Sequence, residues 1–155
     1  MACILNLVIP ATSKTKKSAS NYRDYLVAYR NFAKKKRIFF FFFNVKVDSQ
    51  FSEKLAADYF SFDVNHSSNL DGVNPITGQT YEVKATGFSN NRVRFNSQNI
   101  ADHVIWIKVY KNKVVIREID NAVYNSLEPS NGFINLSSYL KTNPTHEISK
   151  IEYTY

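Results

Sequence analysis

Two apolar, β-branched runs near the middle of the chain limit the fold more than any other feature. HVIWIKVY and VVIREI are separated only by Lys111, Asn112 and Lys113, and each run is too short for a buried helix. Runs of this composition form strands, and a short polar connection between them indicates a hairpin or adjacent strands. The chain is therefore expected to build its core on a β-sheet.

Helical patterns occur on the N-terminal side of these strands. SQFSEKLAADYF follows Asp48 or Ser49 as an N-cap and has an apolar stripe, and NYRDYLVAYRNFAKKK has apolar residues at helical spacing. The run Phe39–Phe43 predicts a strand buried on both faces, or else a low-complexity accident. A short helix at Leu136–Lys141 and a last strand, IEYTY, are also expected. This order predicts an α/β fold with a central mixed β-sheet flanked by helices.

The chain is the right size for one domain. It has 155 residues, of which 44% are hydrophobic, enough for one compact core. Its single cysteine, Cys3, excludes an intrachain disulfide and a thiolate metal cluster, which favours a reducing, cytoplasmic setting. The apolar segment MACILNLVIP is far shorter than the roughly 20 residues that a membrane span requires. We expect a buried first strand or an edge segment there, and no membrane partner.

Positive charge is concentrated in the first third of the chain. Residues 1–47, the basic arm, hold ten Lys and Arg and one acid, a net charge of +9, while the remainder holds ten Lys and Arg against twelve acids, a net charge of −2. This asymmetry favours a polyanion partner such as nucleic acid. The alternative is a solvated arm that serves solubility. The densest cluster comprises Lys34, Lys35, Lys36 and Arg37.

The segment TYEVKAT alternates strictly between polar and apolar residues, which is typical of a strand. Glu82 and Lys84 then project from one face, a candidate site, while the apolar residues pack on the other. NLDGV can pair beside this strand through the VNPITGQ loop, which places Asp71 within reach of Glu82. Two converging carboxylates suit Mg²⁺. Lys84 can hold or deprotonate a water molecule there and offset charge on a phosphorus under attack.

This spacing resembles a known active-site signature. Asp71, a gap of ten residues, and then Glu82, Val83 and Lys84 are similar to the motif of the PD-(D/E)XK nuclease superfamily, whose best-known members are type II restriction endonucleases. Leu70 stands where the name of the motif has proline, a residue that shapes a turn and does no chemistry. Without this resemblance, Asp71 would be read as a turn residue and Glu82 with Lys84 as an exposed strand pair.

The flanking sequence is similar as well. SQFSEKLAADYF resembles the helix that precedes the first acid, with Glu53 where a number of these nucleases carry an accessory glutamate. RFNSQNIADHVIWIKVY resembles the helix and core strand that follow the lysine, with Gln98 at an accessory polar position. The resemblance therefore implies a restriction-endonuclease-like core at about residues 48–120, within a single nuclease domain that spans residues 1–155.

The resemblance also implies a function. Asp71 and Glu82 would bind Mg²⁺, with Mn²⁺ as an expected substitute, and Lys84 would orient the water that hydrolyses a phosphodiester bond of double-stranded DNA. We expect a type II restriction enzyme that acts as a homodimer, because a chain with one site must pair to cut two strands. The alternatives are a Holliday-junction resolvase or other structure-specific nuclease of the same superfamily, and a non-catalytic nucleic-acid-binding module.

A polar cluster after the lysine motif contains side chains that read base edges and phosphates. Arg92 and Arg94, separated by Val93, would share a strand face. With Asn96 they are the expected DNA-binding residues of the core, beside Lys34–Arg37 of the basic arm. The alternative for this cluster is a polar loop between two strands.

Overall fold

The computed structural model describes residues 47–65, 69–87, 89–129 and 131–154, together with Arg23, Asp24 and Val27. These last three residues are helical and belong to one compact unit, Met1–Phe41 with Tyr155, and the others belong to a second, Phe42–Thr154. The predicted Phe39–Phe43 strand and the Lys34–Arg37 cluster lie outside the described residues. No described helix is long and apolar enough to cross a membrane.

A six-stranded mixed sheet forms the centre of the second unit. In spatial order its strands are β1 (Asp63–Val64), β2 (Gly72–Val73), β3 (Thr80–Thr86), β5 (His103–Val109), β6 (Lys113–Asp120) and β8 (Glu147–Thr154). β3 and β5 pair in parallel, and every other neighbouring pair in this sheet is antiparallel. The predicted mixed sheet is thus confirmed.

The β5–β6 hairpin is the predicted apolar centre of this sheet. The backbone N–H of Tyr110 donates to the carbonyl of Lys113 at 2.7 Å, which closes the turn. Ile105, Ile107 and Ile116 are completely buried. A β-branched strand pair covered on both faces is stable at the middle of a sheet, and here it supports β3 on one side and β8 on the other.

Layers cover both faces of the sheet. On one side, helix α1 (Ser49–Phe60) begins at Asp48, whose carboxylate accepts the N–H of Phe51 at 3.0 Å, and Phe62 beyond its end stacks on Tyr81 of β3. On the other side lie a two-stranded ladder, β4 (Arg92–Arg94) with β7 (Phe133–Asn135), the 3-10 helix Asn121–Ser126, and helix α2 (Leu136–Thr142). A second 3-10 helix, Pro144–His146, precedes β8. The predicted helices at α1 and α2 are confirmed.

The helix predicted after the lysine motif is absent from the described residues. Arg92–Arg94 is strand β4, and an irregular segment with a turn leads from it to β5. Asn90 accepts the N–H of Arg92, and Asn96 accepts the N–H of Gln98 at 3.1 Å. Asparagine side chains that bond their own backbone compete with helical hydrogen bonds, and the β7 ladder supplies the partners of β4 instead.

A lysine lies inside the covered face of the sheet. Lys108 of β5 is 1% exposed, and its ammonium donates to the carbonyl of Gly87 at 2.7 Å and to the carbonyl of Asn90. Both carbonyls belong to the loop between β3 and β4. Burial, with a smaller contribution from nearby Arg117, lowers the pKa of Lys108 from 10.5 to about 8. The buried ammonium thus connects this loop to the sheet by hydrogen bonds, although its burial costs solvation free energy.

We expect Lys108 to make stability depend on pH above neutrality. Between about pH 8 and 10.5 the unfolded chain holds a proton that the folded protein has released, so the free energy of unfolding rises with pH, by about 3 kcal/mol in total. Lys108→Met lacks the titrating amine and should lack this rise. Urea unfolding of both proteins from pH 7 to 10.5 measures the difference. Parallel pH profiles would show that the folded protein does not disfavour the Lys108 ammonium.

Candidate active site

The pairing of β2 with β3 brings Asp71 beside the alternating strand. A turn joins the two strands, in which the carbonyl of Asn74 accepts the N–H of Gly78, a residue with a positive φ of 73°. Gly72 lies opposite Tyr81, so Asp71 reaches the middle of β3. Its own N–H donates to the carbonyl of Tyr81 at 3.0 Å. The predicted pairing through the VNPITGQ loop is confirmed.

The Asp71 carboxylate is fixed by the backbone of the strand that it faces. Its Oδ2 accepts the N–H of Val83, the residue between Glu82 and Lys84, at 2.7 Å. A backbone N–H bonded to a carboxylate is a strong, directional contact. It places one acid against the strand that supplies the other acid and the lysine.

Glu82 and Lys84 project from the same face of β3 and contact each other. The Lys84 ammonium donates to Oε1 of Glu82. Glu82 is only 6% exposed, and the Lys84 side chain is 21% exposed. The expected polar face therefore exists, but the layer of β4, β7 and α2 covers it, so the ion pair lies at a partly shielded position.

The environment of Glu82 opposes its ionisation. Burial, the largest cause, raises the pKa of the Glu82 carboxyl, and the negative charges of Asp71 and Glu53 raise it further, whereas Lys84 lowers it. Glu53 lies in α1, and its accessory role stays a prediction. A carboxylate that is buried beside two other acids gains most from a cation placed between them.

Asp71 and Glu82 supply oxygen atoms of the kind that Mg²⁺ prefers. Oδ2 of Asp71 accepts the Val83 N–H, and Oε1 of Glu82 accepts from the Lys84 ammonium. The second oxygen of each carboxylate is therefore the candidate ligand. No group of three or more His, Cys, Asp or Glu residues arranged to hold a metal occurs within the described ranges. Mg²⁺ does not require such a group, since one or two carboxylates with water and phosphate oxygens complete its coordination. Mn²⁺ accepts the same oxygen ligands.

Two aromatic residues of the covering layer were missed by sequence reasoning. Lys84 Nζ lies 5.5 Å from the ring centroid of Phe95, and Phe95 packs edge-on against Tyr124 with centroids 5.2 Å apart. Burial raises the pKa of Tyr124 to about 12, and the charges of Glu82 and Asp71 add to the effect. Continued alternation from Val93 could have predicted that Phe95 points inward, but no local pattern marks Tyr124.

The predicted DNA-reading side chains lie on and after β4. Arg92 and Arg94 are both exposed and flank the Phe133 ring, with guanidinium carbons 5.0 and 5.9 Å from its centroid. The shared strand face is therefore confirmed. Nη2 of Arg92 also donates to both carboxylate oxygens of Glu128 at 2.7 Å. Its charge is offset by a partner that the sequence did not indicate.

Asn96 and Gln98 are exposed in the segment that follows β4, where the Asn96 carboxamide accepts the N–H of Gln98. They lie in a turn instead of on the expected helix. The accessory role of Gln98 stays a prediction. Lys34–Arg37 are outside the described residues, so their expected contact with DNA also stays a prediction.

Comparison with known proteins does not assign a family to this chain. No protein-family model matches it, and neither a search of curated proteins nor a search of solved structures finds a similar protein. A function must therefore be argued from the geometry of Asp71, Glu82 and Lys84.

A divalent cation should stabilise the folded protein through these carboxylates. Mg²⁺ that binds only the folded state raises the free energy of unfolding by about 1 kcal/mol at roughly five times its dissociation constant. Glu82→Gln and Asp71→Asn should each remove most of this gain, which thermal or urea unfolding with and without Mg²⁺ measures. Asp63→Asn, at an exposed acid of β1, is the matched control and should keep the gain.

The same variants carry a test that needs no metal. Because the folded-state pKa of the Glu82 carboxyl is raised, folding favours the protonated form, and the free energy of unfolding falls as the pH rises through that pKa. Without Mg²⁺, the wild type should therefore lose stability relative to Glu82→Gln as the pH rises from 4 to 7.

For the test with metal, equal stabilisation of the wild type and Glu82→Gln by Mg²⁺ would show that the ion binds elsewhere.

Proposed function

We propose that this chain is a Mg²⁺-dependent endonuclease that hydrolyses phosphodiester bonds in DNA. The observation that carries the proposal is the hydrogen bond from the Val83 N–H to the Asp71 carboxylate, which holds one acid against the strand that bears the contacting pair Glu82 and Lys84. Two acids alone would suit many cation sites. The lysine adds a donor and a positive charge, which can stabilise the charge that develops on a phosphate ester during hydrolysis and which simple cation storage does not use.

Each residue of the site would have a separate role in phosphodiester hydrolysis. A water oxygen must attack phosphorus and release a proton to solvent, the bond from phosphorus to the leaving oxygen must break, and that oxygen must take up a proton from solvent. Asp71 and Glu82 would hold the metal, and Lys84 would donate to the attacking water or to a phosphate oxygen that gains charge. What a bound Mg²⁺ supplies is Lewis-acid stabilisation of the phosphate and activation of water.

The order of the elements supports a restriction-endonuclease-like core. Helix α1 with Glu53 precedes the first acid, β3 bears Glu82 and Lys84, and β5 follows as a core strand parallel to β3. The segment between β3 and β5 departs from the resemblance, because it contains β4 where a helix was expected. The departure concerns the connection and leaves the strand that bears the site unchanged.

Within this class we propose a sequence-specific type II restriction enzyme that acts as a homodimer on double-stranded DNA. Arg94 and Asn96 are exposed beyond the covered site and present the donors and acceptors that read base edges. Arg92 is paired with Glu128, so reading a base with Arg92 would require breaking that ion pair. We therefore expect Arg94 to contribute more to discrimination than Arg92.

Digestion of a long linear viral DNA with Mg²⁺ tests the proposal. We expect discrete fragments whose ends share a short palindromic site, as a two-fold dimer would produce. Asp71→Ala, Glu82→Ala and Lys84→Ala should each lower the cleavage rate by about 10²-fold or more while the protein stays folded. Asp63→Ala and Lys111→Ala remove an exposed acid and an exposed lysine, and should leave the rate nearly unchanged.

Other outcomes would correct the proposal in defined ways. Near-full activity in any of the three site variants would remove that residue from its role. Intact linear DNA together with cut four-way junctions would show a structure-specific nuclease that uses the same site. Binding of many DNA sequences without cleavage of either substrate would favour a non-catalytic nucleic-acid-binding module.

A further inference from the structure

The Lys84 ammonium has a second partner besides Glu82, the ring of Phe95. The distance of 5.5 Å from Nζ to the ring centroid is within the range of a cation–π attraction. The Lys84 side chain is largely shielded from solvent, and shielding strengthens such an attraction. A lysine side chain has several rotatable bonds, so a fixed ammonium position needs contacts of this kind.

The position of Phe95 is set by backbone contacts on one side. Its N–H donates to the carbonyl of Gly132 at 2.8 Å. Gly132 has a φ of 65°, and a Cβ atom there would lie 2.4 Å from the Phe95 carbonyl oxygen. Only glycine permits this close approach. The positive φ of Gly132 is thus part of the backbone contact that positions Phe95.

Tyr124 supports the same ring from the other side. It packs edge-to-face on Phe95, and its hydroxyl accepts the N–H of Ala101 at 3.2 Å. Both rings are more than nine-tenths buried. Phe95 and Tyr124 together form a rigid apolar support for the Lys84 ammonium.

Resting on the proposed nuclease activity, we propose that Phe95 is a positioning residue of the active site, whose ring face holds the Lys84 ammonium in place. A lysine ammonium has three N–H donors, and the structure commits one of them to Glu82. An aromatic face attracts the charge without offering a lone pair. The remaining N–H groups therefore stay available for the attacking water and for a phosphate oxygen, which a second carboxylate in place of the ring would not allow.

Fluorination of the ring separates this role from packing. Site-specific replacement of Phe95 by mono-, di- and trifluorophenylalanine withdraws electron density from the ring face with little change in shape. We expect kcat for DNA cleavage to fall stepwise, by about 3- to 10-fold over the series, the range of a cation–π contact. KM should stay constant, and the melting temperature should fall by no more than the few degrees that loss of one such contact costs. The same series at Phe62, which stacks on Tyr81, should leave kcat unchanged.

A constant kcat across the Phe95 series would overturn the proposal, as would an equal fall of kcat across the Phe62 series. A second measurement does not depend on cleavage. In protein labelled with ¹³C at the lysine ε position, ring currents should move the ε-proton resonance of Lys84 upfield, with the assignment made from Lys84→Arg. Phe95→Leu should abolish the shift. An unshifted Lys84 resonance in the wild type would overturn the contact, whereas a shifted resonance in a protein that cuts no DNA would count only against the nuclease function.

Discussion

The hydrogen bond between the Val83 N–H and the Asp71 carboxylate is the contact on which the candidate site depends. It joins residues 12 positions apart and exists only when β2 and β3 pair in the observed register. A slip of one residue would turn Glu82 and Lys84 to the opposite face, where α1 and Phe62 pack. The register of β2 on β3 is therefore a condition of the proposed function as well as of stability.

The covered face of the sheet holds more charge than a core of this size normally does. Glu82 and Lys108 are almost fully buried, and Lys84 is largely so. The Lys108 ammonium is stabilised by two loop carbonyls, and Glu82 by Lys84, yet burial still shifts the pKa of Lys108 down and the pKa of Glu82 up. Burial of either group in its charged form therefore opposes folding. The apolar β5–β6 hairpin offsets this cost with fully buried isoleucine and valine side chains.

The parts of the fold that local pattern determines were predictable from the sequence. Alternation gave the bounds of β3, the two β-branched runs gave the β5–β6 hairpin, and the cap with its apolar stripe gave α1. The closeness of Asp71 and Glu82 followed from the short connection between their strands. The prediction of a helix failed for the segment after β3. Its asparagine turns and its pairing with β7 outweigh a weak helical pattern. Partners distant in sequence, such as Glu128 for Arg92 and Tyr124 for Phe95, leave no local signal.

Asp71 and Glu82 are proposed to share one divalent cation beside Lys84. Crystals of the protein grown with Mn²⁺ would reveal this ion, since anomalous scattering locates it without reference to activity. We expect one strong peak at about 2.1 Å from an oxygen of each carboxylate, close to the octahedral distance for such hard cations. A Mn²⁺ ion bound elsewhere, with none at these two carboxylates in a protein that cleaves DNA, would refute the shared site.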